Sequence, residues 1–340
     1  MRLTRTGGSS AAVRTEAAGA PRARVPGRLR TAAVAAVLAL TALGAAPSTA
    51  SAATSAVADR QTYPVGDLGT AVSNFLFSPD QVAGANNWSC EPSAAHPTPV
   101  VLVHATFVDL GANWAVLSPM LANAGYCVYA FNYGMTALSA GRVGGLGEIS
   151  QSAQALSAFV DQVRQRTGAA QVDLVGHSQG GMMPNYYLKR LGGAAKVRRF
   201  VALAPSNHGT TLDGLVDLGN ELDVLGFVND TFVWLQTPGL KEQENGSDFQ
   251  QSLFADGDTV AGPRYTVVET DKDEVVTPYT HAFLNGPDVR DVLIQDQCPN
   301  DPVGHVGMFE DGPALQDVLN ALGPDDPGFQ PTCTGYGLAL

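Results

Sequence analysis

Charge is what this sequence has least of. Asp, Glu, Lys and Arg together make up 15% of the 340 residues, and the basic ones are the scarcer, 20 against 32 acidic, for a net charge of -12. A nucleic-acid backbone or an anionic membrane demands clustered Lys and Arg, so neither is expected as the main partner. There is no long internal repeat, and 45% of the chain is hydrophobic, which excludes collagen, coiled coil and disordered acidic protein. No apolar run reaches the ~20 residues that cross a bilayer, so stable membrane insertion is not expected. Cysteine is sparse as well, four in all, and lacks the closely spaced pairs that hold zinc. Neither a metal nor an organic cofactor is expected. What remains is a soluble globular chain with apolar material for one large domain or two small ones.

The basic residues are unevenly placed. Residues 1–52 hold seven arginines (Arg2, Arg5, Arg14, Arg22, Arg24, Arg28 and Arg30) and a single acid, Glu16. An apolar run of about 16 residues, 31–46, follows, and then the small-x-small site Ala50-Ser51-Ala52. A basic stretch, a short apolar stretch and a small-residue site predict a secretory signal peptide over 1–52. No consecutive arginine pair precedes the apolar run, so the general export route is expected rather than a twin-arginine one. Taking those arginines and Glu16 from the totals leaves 13 basic and 31 acidic side chains over 53–340, a net charge of -18. An exported chain with Cys90, Cys127, Cys298 and Cys333 predicts two disulfides. Pairing neighbours in chain order, Cys90 with Cys127 and Cys298 with Cys333, closes two loops of similar length. Each closure contributes on the order of 3–4 kcal/mol in the chain-entropy model.

Short apolar runs at 99–103, 127–131, 171–175, 199–203, 264–269 and 291–295 read as strands, the first buried on both faces as in parallel sheets. Helical spacing marks 113–123, 148–166, 178–191 and 314–322; Ile149, Ala153, Leu156, Val160 and Val163 form one apolar stripe. Strands alternating with helices predict an α/β fold with a mostly parallel, doubly wound sheet. The rhythm breaks over 208–257, where Leu215, Leu222, Leu225, Phe227, Phe232, Trp234 and Leu235 lie among glycines; this segment is expected to be an inserted lid or cap. Residues 53–95 and 323–340 read as irregular and tied down by the disulfides.

Gly176-His177-Ser178-Gln179-Gly180 lies directly after one strand and directly before a helix. In that setting the G-x-S-x-G pattern predicts a strained turn that exposes a nucleophilic serine, Ser178. Gly176 and Gly180 leave room where side chains would collide, and the helix N-terminus aims free amides at the reacting centre. A serine hydroxyl needs a base to remove its proton, and in this arrangement the acid and then the histidine follow in the chain. Only His208, His281 and His305 follow Ser178, and His305, in a loop between the last strand and the last helix, is the expected base. His208 is expected to line or brace the cleft and His281 to lie on the surface. Asp271, Asp273 and Glu274 compete for the acid that orients the imidazole; Asp273 is the first choice and Asp271 the second. Two backbone N–H donors must face the developing oxyanion. One is expected from Gln179 and the other from Thr106, in the loop after the first strand, with the Thr106 hydroxyl as a further donor. His104 reads as a packed structural histidine.

The run Val-Leu-Val-His104-Ala-Thr-Phe with Asn113-Trp114, Gly-His-Ser178-Gln-Gly-Gly-Met-Met-Pro, Thr-x-x-Asp273-x-Val-Val-Thr-Pro and the late Gly-His305 resemble the secreted lipases and esterases of actinobacteria, the class 2 lipases. The likeness covers about 85–335. It implies an α/β-hydrolase fold, with Ser178, Asp273 and His305 at the nucleophile, acid and base positions and Thr106 and Gln179 at the oxyanion positions. The family usually has glycine where this chain has Ala105. The expected protein is thus a secreted, monomeric serine hydrolase that cleaves acylglycerols or related carboxylic esters, a lipid or small ester being its partner. The alternatives are an acyltransferase that uses the same triad and a non-catalytic binding protein of the same fold.

Overall fold

Val100, Val101, Leu102 and Val103 are all wholly buried. Successive strand side chains point to opposite faces, and here both faces are covered. Val100 and Leu102 enter one apolar cluster with Trp114, Leu117, Leu315 and Val318, while Val101 and Val103 enter a second with Ile149, Leu156, Val160 and Met182. A continuous aliphatic run is what such a strand requires, and an alternating one would put polar groups into a core.

The computed structural model describes residues 61–136, 141–211, 214–215, 219 and 237–340. The expected signal peptide, 1–52, lies outside the described residues. So do Leu222, Leu225, Phe227, Phe232, Trp234 and Leu235 of the expected lid. All described residues belong to one compact unit, Val57–Leu340.

Six strands, β1 (Val100–Val103), β2 (Val128–Phe131), β3 (Val172–His177), β4 (Val197–Leu203), β5 (Arg264–Glu269) and β6 (Val289–Leu293), form one sheet in the order β2-β1-β3-β4-β5-β6. Every neighbouring pair is parallel. The strand order reverses direction between β1 and β3. At such a switch point the two following loops part and leave a crevice at the carboxyl ends of the strands. The loop after β1 carries Thr106 and the turn after β3 carries Ser178.

Among the described residues the α-helices are α1 (Leu68–Phe77), α2 (Leu110–Asn113), α3 (Leu117–Ala124), α4 (Ile149–Thr167), α5 (Gln179–Arg190), α6 (Pro238–Glu242), α7 (Asp248–Phe254), α8 (Ile294–Gln297) and α9 (Gly312–Leu322). The α4 stripe is buried as its spacing predicts, and the helix stops at Gly168, whose φ of 71° suits glycine. Three expectations need correction. Residues 53–95 are not wholly irregular, for α1 lies there, capped by the Asp67 carboxylate accepting from Thr70 N–H at 2.8 Å. Only Ala71 of α1 is buried; Leu68, Val72 and Leu76 lie on one face but are exposed, so the helix has no buried stripe. The helix expected over 113–123 starts later, at Leu117, with Asn113 ending the short helix α2; Pro119, which has no N–H to donate, stands in the first turn of α3, where none is needed. The last strand lies two residues earlier than expected, since Ile294 already opens α8.

Cys90 and Cys127 lie at disulfide distance, with sulfurs 1.98 Å apart, as do Cys298 and Cys333 at 2.05 Å. The first pair ties the segment after α1 to the edge of β2, and the second ties the C-terminal tail to α8. No helix among the described residues is long and apolar enough to cross a membrane.

Candidate active site

β3 ends at His177 and α5 begins at Gln179, so Ser178 alone turns the chain, at φ 55° and ψ -122°. A side chain held there costs on the order of 1–3 kcal/mol, which the surroundings must offset. Ser178 N–H donates to Leu203 O at 2.9 Å, and Ser178 O accepts from Gly181 N–H at 2.8 Å and Met182 N–H at 3.2 Å. A Cβ on Gly176 would overlap the Gly180 carbonyl, and one on Gly180 would overlap the carbonyls of Val103 and His104. Backbone, rather than neighbouring side chains, is therefore what requires glycine on either side of Ser178.

The loop after β5 brings Asp273 to His305. Asp273 Oδ2 accepts from His305 Nδ1 at 2.7 Å, while Oδ1 accepts from the N–H groups of Val275 and Val276 at 2.8 and 2.7 Å. The His305 loop is pinned by the chain terminus, Val306 N–H donating to Leu340 O at 2.7 Å and Gly304 N–H to Leu338 O at 2.9 Å. With Nδ1 donating to the carboxylate, the neutral ring keeps its lone pair on Nε2. That atom is buried and has no hydrogen-bond partner among the described residues. Asp271 and Glu274 do not reach His305; both are exposed, and Asp271 pairs with Lys272 at 3.0 Å. His208 lies 3.4 Å from Asp258 and against the Phe254 ring. His281, half-buried rather than on the surface, lies 3.1 Å from Asn245 Oδ1. His104 is wholly buried, stacked on Tyr133 and pushed down to about 4 by desolvation.

Thr106 and Gln179 meet around Gly145: a Cβ built on that glycine would lie 2.9 Å from Thr106 Cα and 3.1 Å from Gln179 Oε1. The Gln179 side chain donates to Gly145 O at 2.9 Å, and Phe107 N–H donates to Gly144 O at 3.0 Å, which ties the two loops together. Ala105 does not have the positive φ that would demand glycine; its N–H donates to Asn113 Oδ1 at 2.6 Å.

Several residues of this cluster left little trace in the sequence. Gln243 Nε2 donates to Gly239 O at 3.1 Å and to Thr106 Oγ1 at 3.2 Å, and its Oε1 accepts from Ser206 Oγ at 3.0 Å. Because a carbonyl can only accept, the amide orientation is determined; the Thr106 hydroxyl also lies 3.5 Å from Gln243 Oε1, to which it can donate. Gln243 follows α6, in a segment whose weak periodicity gave no signal. Glu269, the last residue of β5, is wholly buried beside Asp273, and burial followed by that carboxylate pushes its own carboxyl well above the usual range. His177 sits with its ring 5.4 Å from that of His305; desolvation, and then His305, push it down to about 3. Phe107, Leu146, Leu215, Leu240 and Val275 cluster as one buried apolar patch with Val306 against it. Each of these but Leu215 and Leu240 is within two residues of Thr106, Gly145, Asp273 or His305, and those two come from the expected cap. The described residues hold no group of three or more His, Cys, Asp or Glu side chains able to take a metal ion.

The fold has counterparts among known proteins. Lipase B of Aspergillus fumigatus has a similar structure, with a TM-score of 0.54 and 21% identity, covering 74% of this chain and 62% of that one. This chain thus spans less than two thirds of that lipase's length. A monoacylglycerol lipase of Paleococcus ferrophilus matches at 20% identity and a TM-score of 0.43, covering 66% of this chain and 93% of its own. A naproxen esterase of Bacillus subtilis matches at 17% and 0.42, covering 67% of this chain and 84% of its own. At such identity the Aspergillus likeness speaks to the α/β-hydrolase fold alone. The family model described as Lipase (class 2) matches residues 97–311, well over half of the sequence and the whole span from β1 to the His305 loop. By that match the chain belongs to the class 2 lipase family.

Proposed function

We propose that this protein is a secreted serine hydrolase of carboxylic esters, acting on acylglycerols or similar apolar esters through an acyl-enzyme. The observation that carries the reading is the bond between His305 Nδ1 and Asp273 at 2.7 Å, which leaves His305 Nε2 buried and unpartnered. A neutral imidazole oriented by a carboxylate, with its other nitrogen free, is a general base awaiting a proton.

In this reading Ser178 Oγ attacks the ester carbonyl and His305 Nε2 takes its proton. Asp273 stays ionised and steadies the imidazolium. The oxyanion is met by the N–H groups of Thr106 and Gln179 and by the Thr106 hydroxyl, whose oxygen is already engaged by Gln243. The imidazolium returns its proton to the departing alcohol, and the serine keeps the acyl group. Water, activated by His305, then adds hydroxide to the acyl carbon and restores the serine proton.

Two features favour an apolar substrate. The patch of Phe107, Leu146, Leu215, Leu240 and Val275 offers an acyl-binding wall to which the expected cap contributes. Leu68, Val72, Leu76 and Phe77 are exposed along α1, and Val65 just before it; the helix has no charged side chain and packs on α2, next to the Thr106 loop. Such an exposed apolar strip suits contact with a lipid surface. The predicted signal peptide and the two cysteine pairs support export.

The test is hydrolysis of emulsified long-chain triacylglycerol and of soluble short-chain esters by wild type and Ser178→Ala. Loss of both activities in the variant, with good long-chain turnover by wild type, is the expected outcome. Activity confined to short chains would make the protein an esterase, and turnover surviving in Ser178→Ala would overturn the reading.

A further inference from the structure

His177 is an uncommitted feature of this site. It adjoins the nucleophile, is buried, and belongs to no triad. Its hydrogen bonds run in one direction along a chain whose every link is determined. Ala105 N–H can only donate, so the atom of Asn113 facing it at 2.6 Å is the oxygen Oδ1. Asn113 therefore turns its Nδ2 to His177 Nδ1, 3.2 Å away, and donates. His177 Nδ1 must then be the acceptor, and the single proton of the neutral ring sits on Nε2. That proton points to the backbone carbonyl of His305 at 3.1 Å, which can only accept. Asn113 is 3%, His177 4% and His305 1% exposed, so water does not compete for any link.

We infer that His177 and Asn113 are positioning residues that join the Thr106 loop, the strand end carrying Ser178 and the His305 loop into one unit, placing the base relative to the nucleophile and the oxyanion donors. The two outer links span 8 and 128 residues of sequence. Among the described residues, no other side-chain hydrogen bond ties the loops after β1 and after β6 to β3. The arrangement also has a chemical consequence. The lone pair of His177 is occupied by Asn113, so the histidine next to Ser178 cannot compete with His305 for the serine proton. Its neutrality leaves the imidazolium formed on His305 without a like charge beside it. Reacting groups must be held close to their productive geometry, and a displacement of about 1 Å can cost on the order of 100-fold in rate.

The inference rests on the reading of Ser178 and His305 as nucleophile and base, and the experiment separates the two. In His177→Gln the carboxamide nitrogen reaches the place of Nε2 and still donates to His305 O. In His177→Asn the side chain reaches only as far as Nδ1, and the link to His305 is lost. Steady-state kinetics on a soluble short-chain ester should show kcat for His177→Asn reduced on the order of 10- to 100-fold with KM little changed. His177→Gln should stay within about threefold of wild type, a rescue that simple filling of the space does not explain. Asn113→Ala should lower kcat in the same way, because it strips Ala105 N–H of its acceptor as well, a bond that His177→Gln leaves intact. Combined with His177→Asn it should be no slower than the slower single variant, because groups acting as one unit are not additive. Wild-type kcat in His177→Asn, an equal fall in His177→Gln, a loss confined to KM, or multiplying losses in the double variant would each overturn the inference. If His177→Asn does not fold, a lowered kcat in Asn113→Ala beside a near-normal His177→Gln supports it, and any other combination overturns it. Ser178→Ala in the same assay reports on the underlying reading: an active variant there removes the hydrolase mechanism itself, whereas an inactive one beside a wild-type His177→Asn removes only the positioning role.

Discussion

Asp273→Asn changes one atom, and the structure determines which way the new group faces. Oδ1 accepts from the N–H groups of Val275 and Val276 at 2.8 and 2.7 Å, so the amide oxygen must stay there. The NH2 group then confronts His305 Nδ1, 2.7 Å from the present Oδ2. Two donors cannot face each other, so the imidazole moves its proton to Nε2 and accepts on Nδ1. Nε2, now protonated, cannot take the Ser178 proton. The corresponding change in a Ser-His-Asp triad costs about 10⁴ in kcat. A fall on the order of 10³–10⁴ is expected here, or roughly 4–5.5 kcal/mol of barrier. KM should stay within about threefold, because Asp273 is buried behind His305 and the lost interaction acts on the transition state. Stability should fall by only about 1 kcal/mol, since each hydrogen bond is replaced rather than removed. Initial rates on a soluble short-chain ester, with a thermal midpoint for each variant, measure both. Asp271→Asn is the control, an exposed carboxylate whose loss should leave kcat unchanged. A kcat within tenfold of wild type in Asp273→Asn, or a larger fall in Asp271→Asn, would refute the reasoning.

Thr106→Val, which removes the hydroxyl and keeps the backbone N–H, should lower kcat by about 10²-fold with little change in KM, as expected for one oxyanion donor; an unchanged kcat would show that the hydroxyl takes no part. Cys298→Ser opens a loop with a sequence separation of 35 residues. The chain-entropy model gives a loss of about 4 kcal/mol, read as a thermal midpoint lower by roughly 6–8 °C, and an unshifted midpoint would show the crosslink to be dispensable. Asp317, 2% exposed, is pushed up to about 6 by desolvation from an ordinary 3.8. The folded chain holds this proton more tightly than the unfolded one, so the stability it confers is full below about pH 4 and lost as pH rises through 6. Asp317→Asn should therefore match wild type near pH 4 and exceed it by up to about 3 kcal/mol at pH 7.5; an equal difference at the two pH values would contradict this.

The sequence alone determined the parts of this protein whose signals are local. A strand buried on both faces favours a continuous apolar run, so β1 was legible with little error, and the shorter runs Leu174-Val175 in β3 and Val267-Val268 in β5 marked those strands. The Ser178 turn was legible because strand, turn, helix and two glycines must be consecutive in the chain, and the glycines have to be there because backbone occupies the space of their side chains. Asp273 could be preferred but not separated from Asp271 and Glu274, since all three stand in one acidic turn. Helix α1 escaped because an exposed helix carries no buried stripe. What only the tertiary structure decided is which groups meet across long separations. The Asp273–His305 pair spans 32 residues, Asn113 and His177 span 64, and Thr106 and Gln243 span 137. No local preference marks a glutamine as the partner of a threonine that far away. Such contacts exist because parallel strands place the ends of β1, β3 and β5 along one edge of the sheet, where buried polar groups must satisfy one another in the absence of water.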